Sequence, residues 1–328
     1  MQEPDETIIR QDWEKIKKKV YNGQAHLISE SDSRILAACR TGKGGVNRFG
    51  IQNDIVGQPN NIKEGALRRA FSLKQSFTKQ RWLQIHNKVQ FESIIQSLTL
   101  SDRKDFEKAI LERLDKTQGM TLGEFAHKFK IDTPKGKNAA ATIIKKALGF
   151  KNVNSRIKEF EQSGIEVRII PIRTSDKKPW EAASFPAFKL KELTEEIWDE
   201  SSLYECIDRI LFIPIHREEK KTPLNDRVLG KAFFWSPTEK EWNTIKKEWQ
   251  MYQEEIKAGK CKPTKVKSGN SYKERTGLTK ESSTKIIHIR PHATNREDRD
   301  EDPLGNSVVK QSFWLNKDFV HDLINKHA

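Results

Sequence analysis

The stretch of this chain whose residue types and spacing could do chemistry is Lys158 to Arg173, KEFEQSGIEVRIIPIR. Glu159 precedes a turn at Gly164, and Glu166 and Arg168 stand two apart on the strand that the alternating IEVRIIPI predicts. Residues i and i+2 of a strand share a face, so these two side chains point together. Carboxylates converging on Mg²⁺ with a cation beside the attacking water are what a metal-dependent nuclease needs, in the general form acid, spacer, Asp/Glu-x-Lys. On spacing alone the pattern is weak, because an E-x-R pair on a strand more often forms a surface ion pair. A second fragment, Thr41-Gly42-Lys43-Gly44-Gly45, resembles a phosphate loop only superficially. It lacks the first Gly of GxxxxGK and the following hydroxyl, which removes an ATPase reading. Cys39, Cys206 and Cys261 are isolated and give neither a disulfide framework nor a zinc spacing. His26, His216 and the other histidines show no ligand spacing.

The elements that must position these residues are read from periodicity. Thr7 to Val20 places Ile8, Trp13, Ile16 and Val20 on one helical stripe. A loop-rich stretch, GKGGVNRFGIQNDIVGQPNN, leads to a second helical run expected from Ile62 through Phe77. Asp105–Asp115 reads as a helix. Thr121 and Glu124 form a capping box for a short helix through Phe129, and Thr133-Pro134 opens another through Ala147, stopped by Gly149. Strands are expected at Ile165–Ile172, Phe185–Leu190, Arg209–Ile215 and Val228–Trp235; the third is the near-continuous apolar run of a central strand. Pro237 starts a helix over Glu239–Lys257 with Trp242, Ile245, Trp249, Tyr252 and Ile256 on one face. Short strands at Ile286–Arg290 and Phe313–Leu315 flank the loop RPHATNREDRDEDPLGN, and Asp318 is expected to cap a last helix. Helices, then a meandering sheet, then helices predict one α/β or α+β domain over 105–328, behind an extension or inter-domain segment, 1–104.

Charge narrows the partner. The chain has 328 residues with 60 Lys+Arg against 46 Asp+Glu, a formal charge of +14. No apolar run approaches the ~20 residues of a membrane span, and MQEPDETIIR lacks the pattern of a secretory signal. A soluble, reduced, intracellular protein with a polyanionic partner and no membrane partner is expected. Ile256 to Arg290 holds eight Lys and two Arg against only Glu274 and Glu281, and reads as a long basic loop or arm. Long loops inside compact domains are uncommon unless functional or disordered, so Lys265, Lys267 and Lys273 are candidate phosphate contacts.

Eight segments in one order carry a resemblance. They are TLGEFAHKF, KALGF, EF-x3-GIEVRIIPI, SFPAFKL, RILFIPI, VLGKAFFWSP, IHIRPHATN and SFWLNKDF. Together they resemble the MutH-like endonucleases, the mismatch-repair nucleases and the Sau-type GATC-cleaving type II restriction enzymes. NGQAHLISE and RRAFSLKQSF resemble the segment before the second, C-terminal MutH-like half of the Sau-type branch. The resemblance implies a restriction-endonuclease-like fold, a mixed sheet flanked by helices, and recognition of GATC duplexes in the bacterial cytoplasm. It also exposes departures. Where the family's active half has Asp-x6-Glu-x-Lys, this chain has Glu159, Glu166 and Arg168, and where a helix carboxylate would fall it has Lys145. A family lysine expected near the start of RILFIPI is replaced by Asp208 and Arg209. The longer Glu displaces a ligand that Mg²⁺ wants near 2.0–2.1 Å, Arg is a broad planar fork that stays protonated, and a lysine repels the metal.

The DNA-reading side shows no such decay. The resemblance places Arg290, Pro291 and His292 on the loop that enters the major groove, with Asn295 beside it and Lys310, Trp314 and Lys317 at its other end. Trp314 falls where the family has an aromatic sensing the adenine region; it can equally be a core aromatic of an alternating strand. The reading implied is a GATC-directed double-stranded DNA-binding, allosteric effector domain with a vestigial cutting centre and no resident cofactor. Its partner would be a catalytic MutH-like half, in cis or in trans. The alternative is a Mg²⁺-dependent endonuclease using Glu159 and Glu166 with Arg168 at the scissile phosphate.

Overall fold

A computed structural model describes residues 3–29, 32–40, 69–86, 90–93, 103–132, 139–148, 156–268, 271–295 and 297–327. The loop-rich stretch 42–61, the phosphate-loop-like fragment, Thr133-Pro134 and Gly149 lie outside them. The chain groups into two compact units, one comprising 1–117 with 126–166 and the other 118–125 with 167–328.

In the first unit the helix Glu3–Tyr21 covers an antiparallel pair, Leu36–Arg40 with Arg69–Leu73, and buries Ile16 against Ile28, Leu36 and Ala38. Trp13 leaves the expected stripe: it is exposed, with the Lys17 ammonium 4.5 Å from its ring centre. The join is held by Asp12, whose buried carboxylate accepts from the backbone N–H of Arg34, Ile35 and Leu36 at 2.7–3.0 Å. The helical run expected through Ile62–Phe77 is corrected over its described part. Arg69–Leu73 is a strand and the helix starts at Gln75, because ladder bonds to Leu36–Arg40 override helical spacing. The helices Arg103–Asp115 and Ala139–Ala147 form as expected, and Phe106 meets Phe160 edge-on at 5.4 Å.

The Thr121/Glu124 capping box is present: Thr121 N donates to Glu124 Oε2 at 2.8 Å and Glu124 N to Thr121 Oγ1 at 3.2 Å. In the second unit Arg209–Arg217 is the central strand, paired with Ile165–Arg173 on one side and with Val228–Leu229 and Phe233–Trp235 on the other. The single strand expected over Val228–Trp235 is therefore two. Gly230 interrupts it where a Cβ would stand 2.7 Å from His216 Nε2. A three-stranded antiparallel sheet follows, Ile287–Pro291 with Gln311–Leu315 and then Ala183–Phe188. The helix Glu239–Lys257, opened by a Thr238/Glu241 capping box, buries Ile245, Trp249, Tyr252 and Ile256 in a core with Ile172, Phe212, Phe313 and Leu315. The last helix begins at Lys317, so Asp318 lies inside its first turn instead of capping it.

The basic arm needs the largest correction. Thr264–Ser268 and Ser271–Arg275 form an antiparallel hairpin, and Cys261 and Leu278 on either side are buried in the core. Glu255 pins its base: it accepts from Thr279 N at 2.9 Å, Thr279 Oγ1 at 2.7 Å and the Lys260 ammonium at 3.0 Å. Burial opposes the charge on Glu255, but those bonds outweigh it and hold its pKa below the usual carboxylate value. Two buried anchors fix its base and a ladder orders it, while Thr264–Lys267 stays exposed, so the segment is an arm built as a hairpin instead of a loop. The lysine count hid the anchors and the ladder.

Candidate DNA interface

The site at the end of the three-stranded sheet follows from its register. His288 pairs with Trp314 and Arg290 with Ser312, so these four residues share one face, while Ile287, Ile289, Phe313 and Leu315 turn to the core. Arg290 is exposed at the sheet's end, its guanidinium carbon 4.1 Å from the centre of the Trp314 ring. His292, also exposed, meets the same ring edge-on at 5.1 Å and shares a 3.1 Å hydrogen bond between Nδ1 and Ser312 Oγ. Trp314 is 9% exposed and lies outside the core cluster, covered by Arg290 and His292. It is a platform under two exposed polar side chains, set apart from the core aromatics.

What fixes the strand under Arg290 is a carboxylate that sequence reasoning did not single out. Glu248, on the long helix and buried, accepts from Lys285 N at 2.5 Å, Ile286 N at 3.2 Å and Ile287 N at 2.9 Å. A Glu on the otherwise apolar face of that helix, two turns before Ile256, was the available signal. His288, 2% exposed, bonds Asn316 Oδ1 through Nδ1 at 2.7 Å, and Asn316 Nδ2 donates onward to Thr284 O at 3.0 Å. Burial lowers the His288 pKa, with the Asn316 bond and the Glu281 charge acting against it, and Arg290 and Lys317 adding to it. The imidazole is thereby kept neutral beneath the readers. Lys317, half-buried, donates its backbone N–H to Glu281 Oε1 at 3.1 Å.

The loop beyond Pro291 is built on its own polar groups. His292 N donates to Lys310 O at 2.8 Å, and Lys310 N to Asp298 O at 3.1 Å. The Lys310 ammonium lies 2.5 Å from Asp298, whose carboxylate also accepts from Thr294 N at 3.1 Å. The Lys310 bond, then the Thr294 bond, hold the Asp298 pKa below the usual value. Asn295 is exposed, and its side-chain carbonyl oxygen accepts from Glu297 N at 3.1 Å and Asp298 N at 2.9 Å. Beyond it the loop forms an unforeseen hairpin, Arg299–Glu301 with Ser307–Val309. Arg299 reaches Glu274 at 3.1 Å and so ties this loop to the basic hairpin. There Lys265 stands opposite Glu274, Lys267 opposite Tyr272 and Lys273 opposite Val266. Lys265 and Lys267 thus fall on one face, both exposed, and the register brings Lys273 level with neither.

The residues at the positions of the family's metal ligands are engaged otherwise. In the first unit Glu159 is buried in the helix Lys158–Ser163 and accepts a hydrogen bond from Ser93 Oγ. Burial, then the Arg81 charge, lowers the pKa of neighbouring Lys158, against the pull of Glu159. Lys145 occupies the last turn of Ala139–Ala147, and Glu166 is half-buried at the start of its strand. In the second unit the Arg168 guanidinium carbon lies 5.3 Å from the centre of the Phe185 ring. Arg209 likewise sits over Phe234 at 5.0 Å and donates to Ser236 Oγ at 3.3 Å. Among the described residues no three His, Cys, Asp or Glu are grouped to hold a metal ion.

Comparisons with known proteins follow the same outline. The family described as DNA mismatch repair enzyme MutH matches residues 148–248. Over 96% of its length the chain is 27% identical to the type II restriction enzyme Sau3AI of Staphylococcus aureus, of which it covers 69%. It is 24% identical to the DNA mismatch repair protein MutH of Vibrio campbellii, over 67% of this chain and 94% of that one. For MutH of Actinobacillus pleuropneumoniae serotype 5b the identity is 26%, over 69% of this chain and 96% of that one.

Proposed function

We infer, for a chain that belongs to the MutH-like endonuclease family of the Sau3AI type and has its restriction-endonuclease-like α/β fold, a DNA-binding role in which sequence reading is kept and cutting is lost. The observation that carries this reading is the stack of Arg290 and His292 on Trp314. An exposed guanidinium held over an indole and backed by a buried carboxylate is arranged for bidentate contact with guanine O6 and N7 in a major groove. His292 and the amide end of Asn295 supply further donors, and Lys265, Lys267 and Lys317 are assigned to flanking phosphates. The target is a GATC duplex. The binding event acts as an allosteric effector for a catalytic MutH-like half, in cis or in trans, and needs no cofactor of its own.

The loss of cutting is supported by Lys145, by Glu159 bound to Ser93 and by Arg168 laid on Phe185. The test has two arms. Gel shifts with GATC and scrambled duplexes over a salt series are expected to show a steep salt dependence and a preference for GATC. Plasmid incubated with Mg²⁺ or Mn²⁺ is expected to stay intact. Cleavage at GATC that Glu166→Ala abolishes would establish the alternative, an active nuclease on Glu159, Glu166 and Arg168. Absence of duplex binding would refute both.

A further inference from the structure

The second unit carries another concentration of positive charge, built on different strands from the reading site. The strand Ile165–Arg173 runs into a turn that closes with Arg173 N donating to Lys178 O and Lys177 N to Arg173 O, both at 2.9 Å. The central strand ends at Arg217, and the chain beyond it carries Lys220, Lys221 and Arg227. Trp180 lies where these two segments meet. The guanidinium carbons of Arg173 and Arg217 are 5.0 and 5.4 Å from its ring centre, and the Lys220 ammonium is 6.0 Å away. Burial and then the Arg217 charge lower the Arg227 pKa, while burial and then the Lys177 charge lower that of His216, so the cations feel one another.

The seven cations of these segments stand against five carboxylates, Asp176, Glu181, Glu218, Glu219 and Asp226, but few of them are paired. Among the described residues Arg173 has Asp176 at 3.2 Å, and Lys177, Lys178, Arg217, Lys220, Lys221 and Arg227 have no ion-pair partner. The Nε–H groups of Arg173 and Arg217 and Trp180 Nε1 are buried without an acceptor. Lys177 adopts a left-handed φ of 57°, uncommon for a residue with a side chain. Gathering like charges over one ring costs Coulomb energy that the ring's quadrupole offsets only in part. Strain, cations without a close ion pair and buried N–H groups without an acceptor at one place point to an anion that completes it. Closely spaced guanidinium and ammonium groups match the closely spaced phosphates of a duplex backbone.

We propose that the Trp180 cluster is a second contact surface for DNA phosphates, blind to sequence, separate from the Arg290 site. It rests on the DNA-binding reading above and extends it to a partner surface. An acidic protein segment is the other class of occupant, and the duplex titration decides against one of the two.

The full chain, Lys220→Gln, Arg217→Gln and the triple variant Arg173→Gln/Arg217→Gln/Lys220→Gln are titrated by fluorescence anisotropy with GATC and scrambled duplexes over a salt series. Each single change is expected to flatten the slope of log affinity against log salt by about 0.9, and the triple change by about 2–3, on both sequences alike. The ratio of GATC to scrambled affinity stays that of the full chain. Lys220 is exposed, so Lys220→Gln keeps the test independent of folding. Slopes equal to those of the unchanged chain in all variants overturn the proposal and favour an acidic protein partner. In that outcome the GATC reading still stands if Arg290→Ala lowers the GATC preference. If the unchanged chain binds no duplex, both fall.

Discussion

If Trp314 acts by holding Arg290, then losing both side chains must cost less than the sum of losing each. Arg290 is exposed and its guanidinium carbon is 4.1 Å from the ring centre, so the cation–π contact contributes about 0.5–1 kcal/mol. The His292 ring at 5.1 Å adds about 0.5–1.5 kcal/mol as an aromatic pair. Trp314→Leu removes both supports and leaves the readers to be ordered by DNA, a loss of about 1–2 kcal/mol in GATC preference, roughly 5–30-fold. Arg290→Ala is expected to cost about 1–3 kcal/mol of discrimination. In the double variant the Arg290 share of the Trp314 effect is already gone, so the two losses fall short of additive by about 0.5–1 kcal/mol. The assay is anisotropy at fixed salt with GATC and scrambled duplexes for all four proteins. Replacing a buried Trp also destabilises the domain by a few kcal/mol, about 2–4. The ratio of the two affinities is insensitive to that, because a smaller folded fraction weakens both sequences equally. Additivity within about 0.3 kcal/mol would show that Trp314 is packing alone and would remove the physical basis of the stack.

Two further outcomes follow from the supports of the same site. Glu248→Gln replaces an acceptor of three backbone N–H groups by a side chain with one acceptor oxygen, and is expected to lower unfolding free energy by about 2–4 kcal/mol, read from urea denaturation; an effect below about 0.5 kcal/mol would show that the strand is held by its ladder alone. The pKa values of His288, His216 and His327 are all lowered, chiefly by burial. As pH falls through the ordinary value of 6.5, the unfolded chain takes up protons that the folded chain refuses, so stability present above 6.5 declines until the folded values are reached. Melting temperatures from pH 7.5 to 5 are expected to fall accordingly, and an NMR titration placing His288 above 6.5 would contradict the buried, neutral imidazole.

The parts of the fold that could be read in advance are those in which one short segment contains its own signal. The Thr121/Glu124 box, the apolar run of Arg209–Arg217 and the stripe of Glu239–Lys257 each name an element and its buried side within a few residues. The failures share a different cause. Arg69–Leu73 is a strand through bonds to Leu36–Arg40, and the basic arm is an ordered hairpin through its ladder and the anchors Cys261, Leu278 and Glu255 at its base. Composition reads the segment as solvated, which its exposed strand is, but eight lysines in a local count hide the ladder and the two anchors. Val228–Trp235 keeps its strand pattern but is divided because the backbone at Gly230 passes too close to His216 for a side chain.

The departures at Lys145 and Arg168 and the group around Arg290 were legible to different degrees, and the reason is chemical. A metal centre is a demand on residue type, so Lys145 and Arg168 at positions that should carry a carboxylate and a lysine speak without coordinates. A base-reading site demands position, and an arginine on a short strand carries no such information until its support is known. Residue identity placed Arg290, His292 and Trp314 near one another; only the register, His288 opposite Trp314 and Arg290 opposite Ser312, puts the indole under both readers. Glu248 and the Trp180 cluster were illegible for the same reason, since each joins segments far apart in the chain. Charge therefore has to be weighed by place. The net +14 names a polyanion, but Lys310 is spent on Asp298 and Arg299 on Glu274. Among the described residues Arg217 and Lys220 make no such ion pair, and under the proposal above they are the cations left to meet phosphate.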